Sequence, residues 1–422
     1  MIINPHQPSS TLINPHQPSS TLINPHQPSS TLINPHQPSS TLINPHRPSS
    51  TLINPHQPSS TLINPHRPSS TLINPHQPSS TLINPHRPSS TPINPHQPSS
   101  TLINPHQLLS MYIEHLIQAD IDLLSRLRQV GQKIGNTPVH HISGLFSQKG
   151  ARIYAKKEWE QLSGSVKARA AFNIIRAAVQ NGDLHRGKIL LDATSGNTGI
   201  AYAAIAKELG LRVALCLPEN ASPERKTILQ SLGAEIIFTS KFEGTDGAQE
   251  VARELATERP DLYFYADQYK NDNNWKAHYQ QTALEIFESF PQVTHFVAGL
   301  GTTGTFTGTG RRLKELNPDI QLVALQPDSA LHGLEGWKHL ETAVVPGIYD
   351  KNLADEFLEI DTTEAYEIIK AAKQHEGLLL SPSSAANLAG AIKVAEKLET
   401  GTVFTILPDN ADKYGEVIKK LF

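Results

Sequence analysis

The chain has one cysteine, two methionines and three tryptophans among 422 residues, and aromatic side chains make up only 6% of it. A single thiol excludes any disulfide within the chain. Cys216 lies in the apolar run "RVALCLP", which predicts a buried core thiol and fits a reducing cytoplasm. Apolar runs of membrane-spanning length are missing, as is a signal-peptide pattern. Basic excess is missing too. Setting aside three arginines in the N-terminal quarter, residues 111–422 carry 33 basic against 39 acidic side chains, a net charge of −6. That balance gives no electrostatic footprint for nucleic acid.

Proline, in contrast, is plentiful, and its placement divides the chain. Residues 3–102 are ten tandem copies of the decamer "INPHQPSSTL", altered only at Arg47, Arg67, Arg87 and Pro92. An eleventh copy stops at Gln107. Two prolines and two large apolar residues per decamer predict that neither a helix nor a strand ladder propagates, so residues 1–110 are expected to be disordered or partly polyproline II. The period of ten also falls short of the roughly 20–50 residues typical of a solenoid unit. Histidines ten residues apart on such a chain make no preformed metal site, and none is expected. Met111, just past the repeats, is a candidate translation start, the repeats then being an in-frame upstream reading. The intact mass of the native protein decides this.

From 111 onward strand-like and helix-like segments alternate. "KILLDAT", "RVALCLP", "AEIIFTS", "THFVAGLG", "IQLVALQP" and "TVFTILP" read as buried strands. Between them come helices such as "GIAYAAIAKELG", ended by Gly210, and "SPERKTILQSLG", with Ser222 at its N-cap and Pro223 at N1. "NNWKAHYQQTALEIFESF" reads as one long helix. This alternation predicts an α/β fold with parallel sheets covered by helices, and it directs attention to the loops at the carboxyl ends of strands.

Two of those loops share a composition. "TSGNTG" (194–199) and "LGTTGTFTG" (300–308) are small, hydroxyl-rich and glycine-rich, and each opens a helix. Backbone N–H groups and the positive helix end at such a turn attract an anion. Neither is a Walker A or GxGxxG turn. Two of them imply two anions, or one ligand with two anionic ends. "SPSSAAN" (381–387) opens a third helix, where serine serves first as an N-cap, and Gln268 follows the strand end "YFYA". Lys167, in "EQLSGSVKARAAF", stands at a helix entrance where a cation is unfavourable. An amine able to lose its proton, a phosphate cradle, a carboxylate cradle and a lone hydroxyl form the set that pyridoxal phosphate chemistry on an amino acid requires.

On these residues the chain resembles a known family. The order SVK, TSGNTG, Gln after a strand, GTTGT and a serine pair, after an opening "IGNTPVHHI" (134–142), is similar to that of the fold-type II pyridoxal phosphate enzymes over residues 131–422. Within them it resembles the cysteine synthases (O-acetylserine sulfhydrylases), and the cysteine synthase B branch through GTTGT and "VPGIYDKNLADE" (345–356). The resemblance implies a two-lobed, tryptophan synthase β-like fold over 111–422, with a smaller lobe at about 163–272 and a larger lobe from the rest. It implies that Lys167 holds the cofactor through a Schiff base and later acts as general base. Gly301, Thr302, Thr303, Gly304 and Thr305 would bind the cofactor phosphate, Asn197 the ring hydroxyl, and Ser383 would face the ring nitrogen. Thr194, Ser195, Gly196, Thr198 and Gln268 would hold the substrate carboxylate. A homodimer is implied, and a sulfur-carrier protein is among the possible partners.

The implied reaction is β-replacement on O-acetylserine or O-phosphoserine by a sulfur nucleophile, through an α-aminoacrylate, to give cysteine. Alternatives are a cystathionine β-synthase-like or dehydratase-like enzyme, or a cofactor-binding scaffold without turnover. His332, Lys338 and His339 bear on whether the donor is phosphorylated. The chain departs from the family at Gln161 and Leu162, where Asn-Pro is usual, at Ala168, where an acid usually follows the lysine, and at Ser381 and Ala385, where glycines are usual.

Overall fold

The computed structural model describes residues 122–422, Ser195 excepted, and the strand segments of the repeat. Two compact units result, Met1–Ile121 and Asp122–Phe422.

In the first unit, Ser10–Ile13 and the equivalent stretches of later repeats are strands. Each pairs in parallel with the repeat after next, Ser10 opposite Ser30 and Leu12 opposite Leu32. Alternate repeats therefore build separate ladders. This departs from the expectation that no ladder propagates. The prolines fall outside the Ser-Thr-Leu-Ile stretches and remove no ladder bond, while two decamers together make a 20-residue rung. The disorder expected for the rest of the repeat, and Met111, lie outside the described residues.

Ten strands organise the second unit: β1 (Val139–Ile142), β2 (Ala151–Lys157), β3 (Ile189–Ala193), β4 (Arg212–Pro218), β5 (Glu235–Thr239), β6 (Tyr263–Tyr265), β7 (His295–Gly299), β8 (Gln321–Pro327), β9 (Glu356–Ile360) and β10 (Gly401–Leu407). A six-stranded sheet runs in the order β1-β2-β10-β7-β8-β9, parallel except for the β1–β2 pair. A four-stranded, wholly parallel sheet runs β5-β4-β3-β6. The central strands of both sheets bury both faces, whereas the edge strands β5 and β9 are partly exposed, so "AEIIFTS" is not the buried strand expected. In the large one Val297, Val323 and Val403 pack on one side, and Phe296, Leu322 and Phe404 on the other. In the small one Leu190 and Leu215 oppose Leu191, Ala214 and Cys216. Two-sided burial explains why these strands read as continuous apolar runs.

Helix boundaries follow local chemistry. Gly210 ends helix Asn197–Leu209 in the left-handed conformation. Ser222 occupies the N-cap position of Pro223–Ser231, but its side chain makes no capping bond. Ser381 does cap Pro382–Glu396, accepting from the Ser384 amide. The helix expected to run unbroken from 273 to 290 is instead Asp272–Ala277, a π turn at His278–Thr282 and Ala283–Ser289. Among the described residues no helix is long and apolar enough to cross a membrane.

Candidate active site

Four strand ends deliver chemistry to one place. β3 runs into Thr194, β6 into Gln268, β7 into Gly301 and β10 into Asp409. They surround a cavity of about 430 Å³ whose wall includes Lys167, Asn197, Gln268, Thr302, Thr303 and Ser383. Thr194, Gly196, Thr198, Gly301 and Thr305 complete the predicted residues that line it. Gly304 is the first residue of helix Gly304–Leu316 at its edge. Ser195 lies outside the described residues.

Lys167 begins helix Lys167–Asn181, and its Nζ makes no hydrogen bond or ion pair with a described residue. Enclosure pushes its ammonium below the ordinary lysine value, with the carboxylates of Asp409 and Glu158 pulling the other way. Around it lies a buried ion network. Arg169 donates to both Glu158 and Glu285, and Lys156 pairs with Glu285 at 2.8 Å. Of these two carboxylates Glu158 acts on Lys167 electrostatically, while both are already paired with Arg169 and Lys156, so the network puts no surplus negative charge in place of the acid that Ala168 lacks. Gln161 has a task as well. Its Oε1 accepts from the Gly135 amide at 3.0 Å while its Nε2 donates to Glu158.

The 301–305 turn fits a phosphate. Thr303 is held at φ +69°, which is costly for a β-branched residue. Its Oγ1 is buried without a partner. A Cβ on Gly301 would stand 2.1 Å from the Gly336 carbonyl oxygen, and one on Gly304 2.0 Å from Asn274 Oδ1, so the turn has to be glycine at both places. It opens a 13-residue helix, whose positive end favours an anion. His278 Nε2 lies 3.3 Å from Thr305 Oγ1. Burial, together with the charges of Arg169 and Lys167, holds that histidine neutral. A partnerless lysine amine, an orphan buried hydroxyl and a glycine-lined helix entrance together match an aldehyde that carries a phosphate.

Thr198 donates to Gln268 Oε1 at 2.6 Å, and Gln268 Nε2 to the Ala193 carbonyl at 3.2 Å, so these two groups are fixed beside the 194–198 turn. Beneath them Asp192 is fully buried, and burial pushes its carboxyl up to about 7 against the pull of the Ala193 amide.

Asp409 organises the site. Its carboxylate accepts from Asn197 Nδ2 and from Tyr414 Oη, each at 2.8 Å, and lies 3.5 Å from Ser383 Oγ. Its position in "LPDNADKY" gave only weak notice of this, because no spacing ties it to residue 197. Sequence reasoning also missed Arg225 and Glu335, which pair at the cavity wall. Lys338 lines the cavity 3.6 Å from Asp246. His332 and His339 do not line it. His332 accepts from the Leu334 amide, and His339 lies near Glu341.

Comparisons with known proteins agree with this geometry. Residues 130–409 match the family described as pyridoxal-phosphate dependent enzyme. The cysteine synthase of Aquifex aeolicus is 41% identical over 289 residues, covering 67% of this chain and 88% of that protein. Cysteine synthase B of Escherichia coli is 37% identical over 286 residues, covering 67% and 93%. The crystal structure of a cysteine synthase from Entamoeba histolytica superposes with a TM-score of 0.64 at 32% identity, covering 69% of this chain and 94% of the other. With the lysine, the phosphate-shaped turn and these relatives all in agreement, the chain belongs to the pyridoxal-phosphate-dependent enzymes of fold type II.

Proposed function

We propose that this chain makes L-cysteine by β-replacement, exchanging the β-substituent of O-acetylserine or O-phosphoserine for a sulfur nucleophile. The observation that carries the reading is Lys167: an amine without a partner, facing a cavity that also holds both glycine- and threonine-rich turns. Names of relatives support the same reaction.

Bound pyridoxal phosphate supplies an aldehyde that condenses with amines and a ring that draws electrons from the substrate Cα. Gly301–Thr305 would hold its phosphate, and Asn197, oriented by Asp409, its ring hydroxyl. Ser383, which lines the cavity, would offer the ring nitrogen a hydroxyl instead of a carboxylate, which suits β-elimination better than transamination. Thr194, Ser195, Gly196, Thr198 and Gln268 would fix the substrate carboxylate and so aim its Cα proton at Lys167. The lowered pKa of Lys167 leaves more neutral amine at neutral pH to accept that proton. Lys338 is the one cavity-lining cation among the three residues weighed for a phosphorylated donor.

Turnover of each donor with sulfide, thiosulfate and a carrier-protein thiocarboxylate tests the reading. Cysteine formation with at least one pair is expected, and none with any pair overturns it. Resemblance to the cysteine synthases supports a homodimer, which sedimentation velocity checks. A lone buried thiol supports a cytoplasmic location.

A further inference from the structure

Asn274 has no assigned part in the site, yet its place is unusual. It lies in Asp272–Ala277, is 2% exposed, and carries an amide nitrogen with two hydrogens. One points to the Gln268 carbonyl oxygen at 2.7 Å, the other to Thr302 Oγ1 at 3.1 Å. The amide cannot be turned over, because that would set Oδ1 against a carbonyl oxygen that only accepts. Gly304 is the counterpart of this placement, since any Cβ there would stand 2.0 Å from Asn274 Oδ1.

The direction of the second bond matters. Thr302 Oγ1 accepts from Asn274, so its own hydrogen is left to donate elsewhere, and Thr302 lines the cavity. An aspartate at 274 would reverse this, drawing the Thr302 hydrogen toward itself and placing a negative charge behind the cradle. The first bond acts on the other end of the ligand. It holds the backbone of Gln268, whose side chain meets Thr198 at 2.6 Å.

We propose that Asn274 is a positioning residue that ties the two ends of the cavity together. One amide hydrogen orients the Thr302 hydroxyl toward the cofactor phosphate, and the other seats Gln268 for the substrate carboxylate. This rests on the reading of Gly301–Thr305 as the phosphate cradle.

The test uses the full-length holoenzyme and measures cofactor affinity by equilibrium dialysis, alongside kcat and KM for O-acetylserine. Variants are Asn274→Ala, the nearly isosteric Asn274→Asp, Thr302→Val, and Asn274→Ala in the Thr302→Val background; circular dichroism confirms which are folded. Asn274→Ala is expected to weaken cofactor binding about tenfold, and Asn274→Asp further, with KM raised in both. In the Thr302→Val background Asn274→Ala is expected to change cofactor affinity by less than about twofold, because the group it acts through is gone. Equal losses in both backgrounds, or parental affinity in both folded Asn274 variants, overturn the proposal. If Thr302→Val keeps parental affinity, the cradle reading itself fails, a different result from either of these.

Discussion

Lys167 occupies a position that electrostatics alone disfavours, and its neighbours explain how it is kept there. Lys167→Ala is expected to lower kcat by about 10³-fold or more while leaving the fold intact, because the residue makes no hydrogen bond whose loss would destabilise the chain. Steady-state turnover beside a thermal melt checks both halves. Cys216 gives a contrasting prediction. Buried in the small sheet, its thiol is pushed up to about 12, by burial first and then by Asp192. It should resist a thiol reagent in the native protein and react fully once the chain is unfolded. Rapid native labelling would contradict its placement. Gly304→Ala should weaken cofactor retention, since the added carbon has 2.0 Å in which to fit against Asn274. Dialysis against buffer measures this.

At the scale of elements, the ion network under the lysine makes stability depend on pH in acid. Burial raises the Glu285 carboxyl, but Arg169 and Lys156 outweigh it and hold the group at about 2 against an ordinary 4.5. The stability this contributes is present above about pH 4.5 and is lost as the pH falls toward 2. Glu285→Gln is therefore expected to cost roughly 3 kcal/mol at pH 7, leaving Arg169 short of a buried partner, and less as the pH drops. Urea melts at pH 7 and pH 3 compare the two. Strands such as Arg212–Pro218 were legible as apolar runs because both faces of the sheet are covered. The two turns were legible because a glycine- and threonine-rich turn that opens a helix attracts an anion and two of them occur together, although one alone is as often a plain tight turn. The π turn at His278–Thr282 was not legible. Helical periodicity survives one inserted residue, and the turn's consequence, His278 set against Thr305, is a contact between distant elements. Asp409 and Asn274 escaped for the same reason, each acting through partners far along the chain.

For the whole molecule, the repeat and the enzyme unit obey different rules. In the repeat, prolines that argued against a ladder prove to flank it, and the register matches each residue with its like 20 positions on. In the enzyme unit, residues from four strand ends, separated by more than 200 positions, meet at one cavity. That convergence is the central claim, and cofactor absorbance reads it directly. The measurement is the visible spectrum of the holoenzyme, recorded before and after O-acetylserine, then O-phosphoserine, then sulfide. The account predicts that at least one donor shifts the cofactor band and that sulfide restores it as cysteine appears. A band that neither donor moves would contradict it.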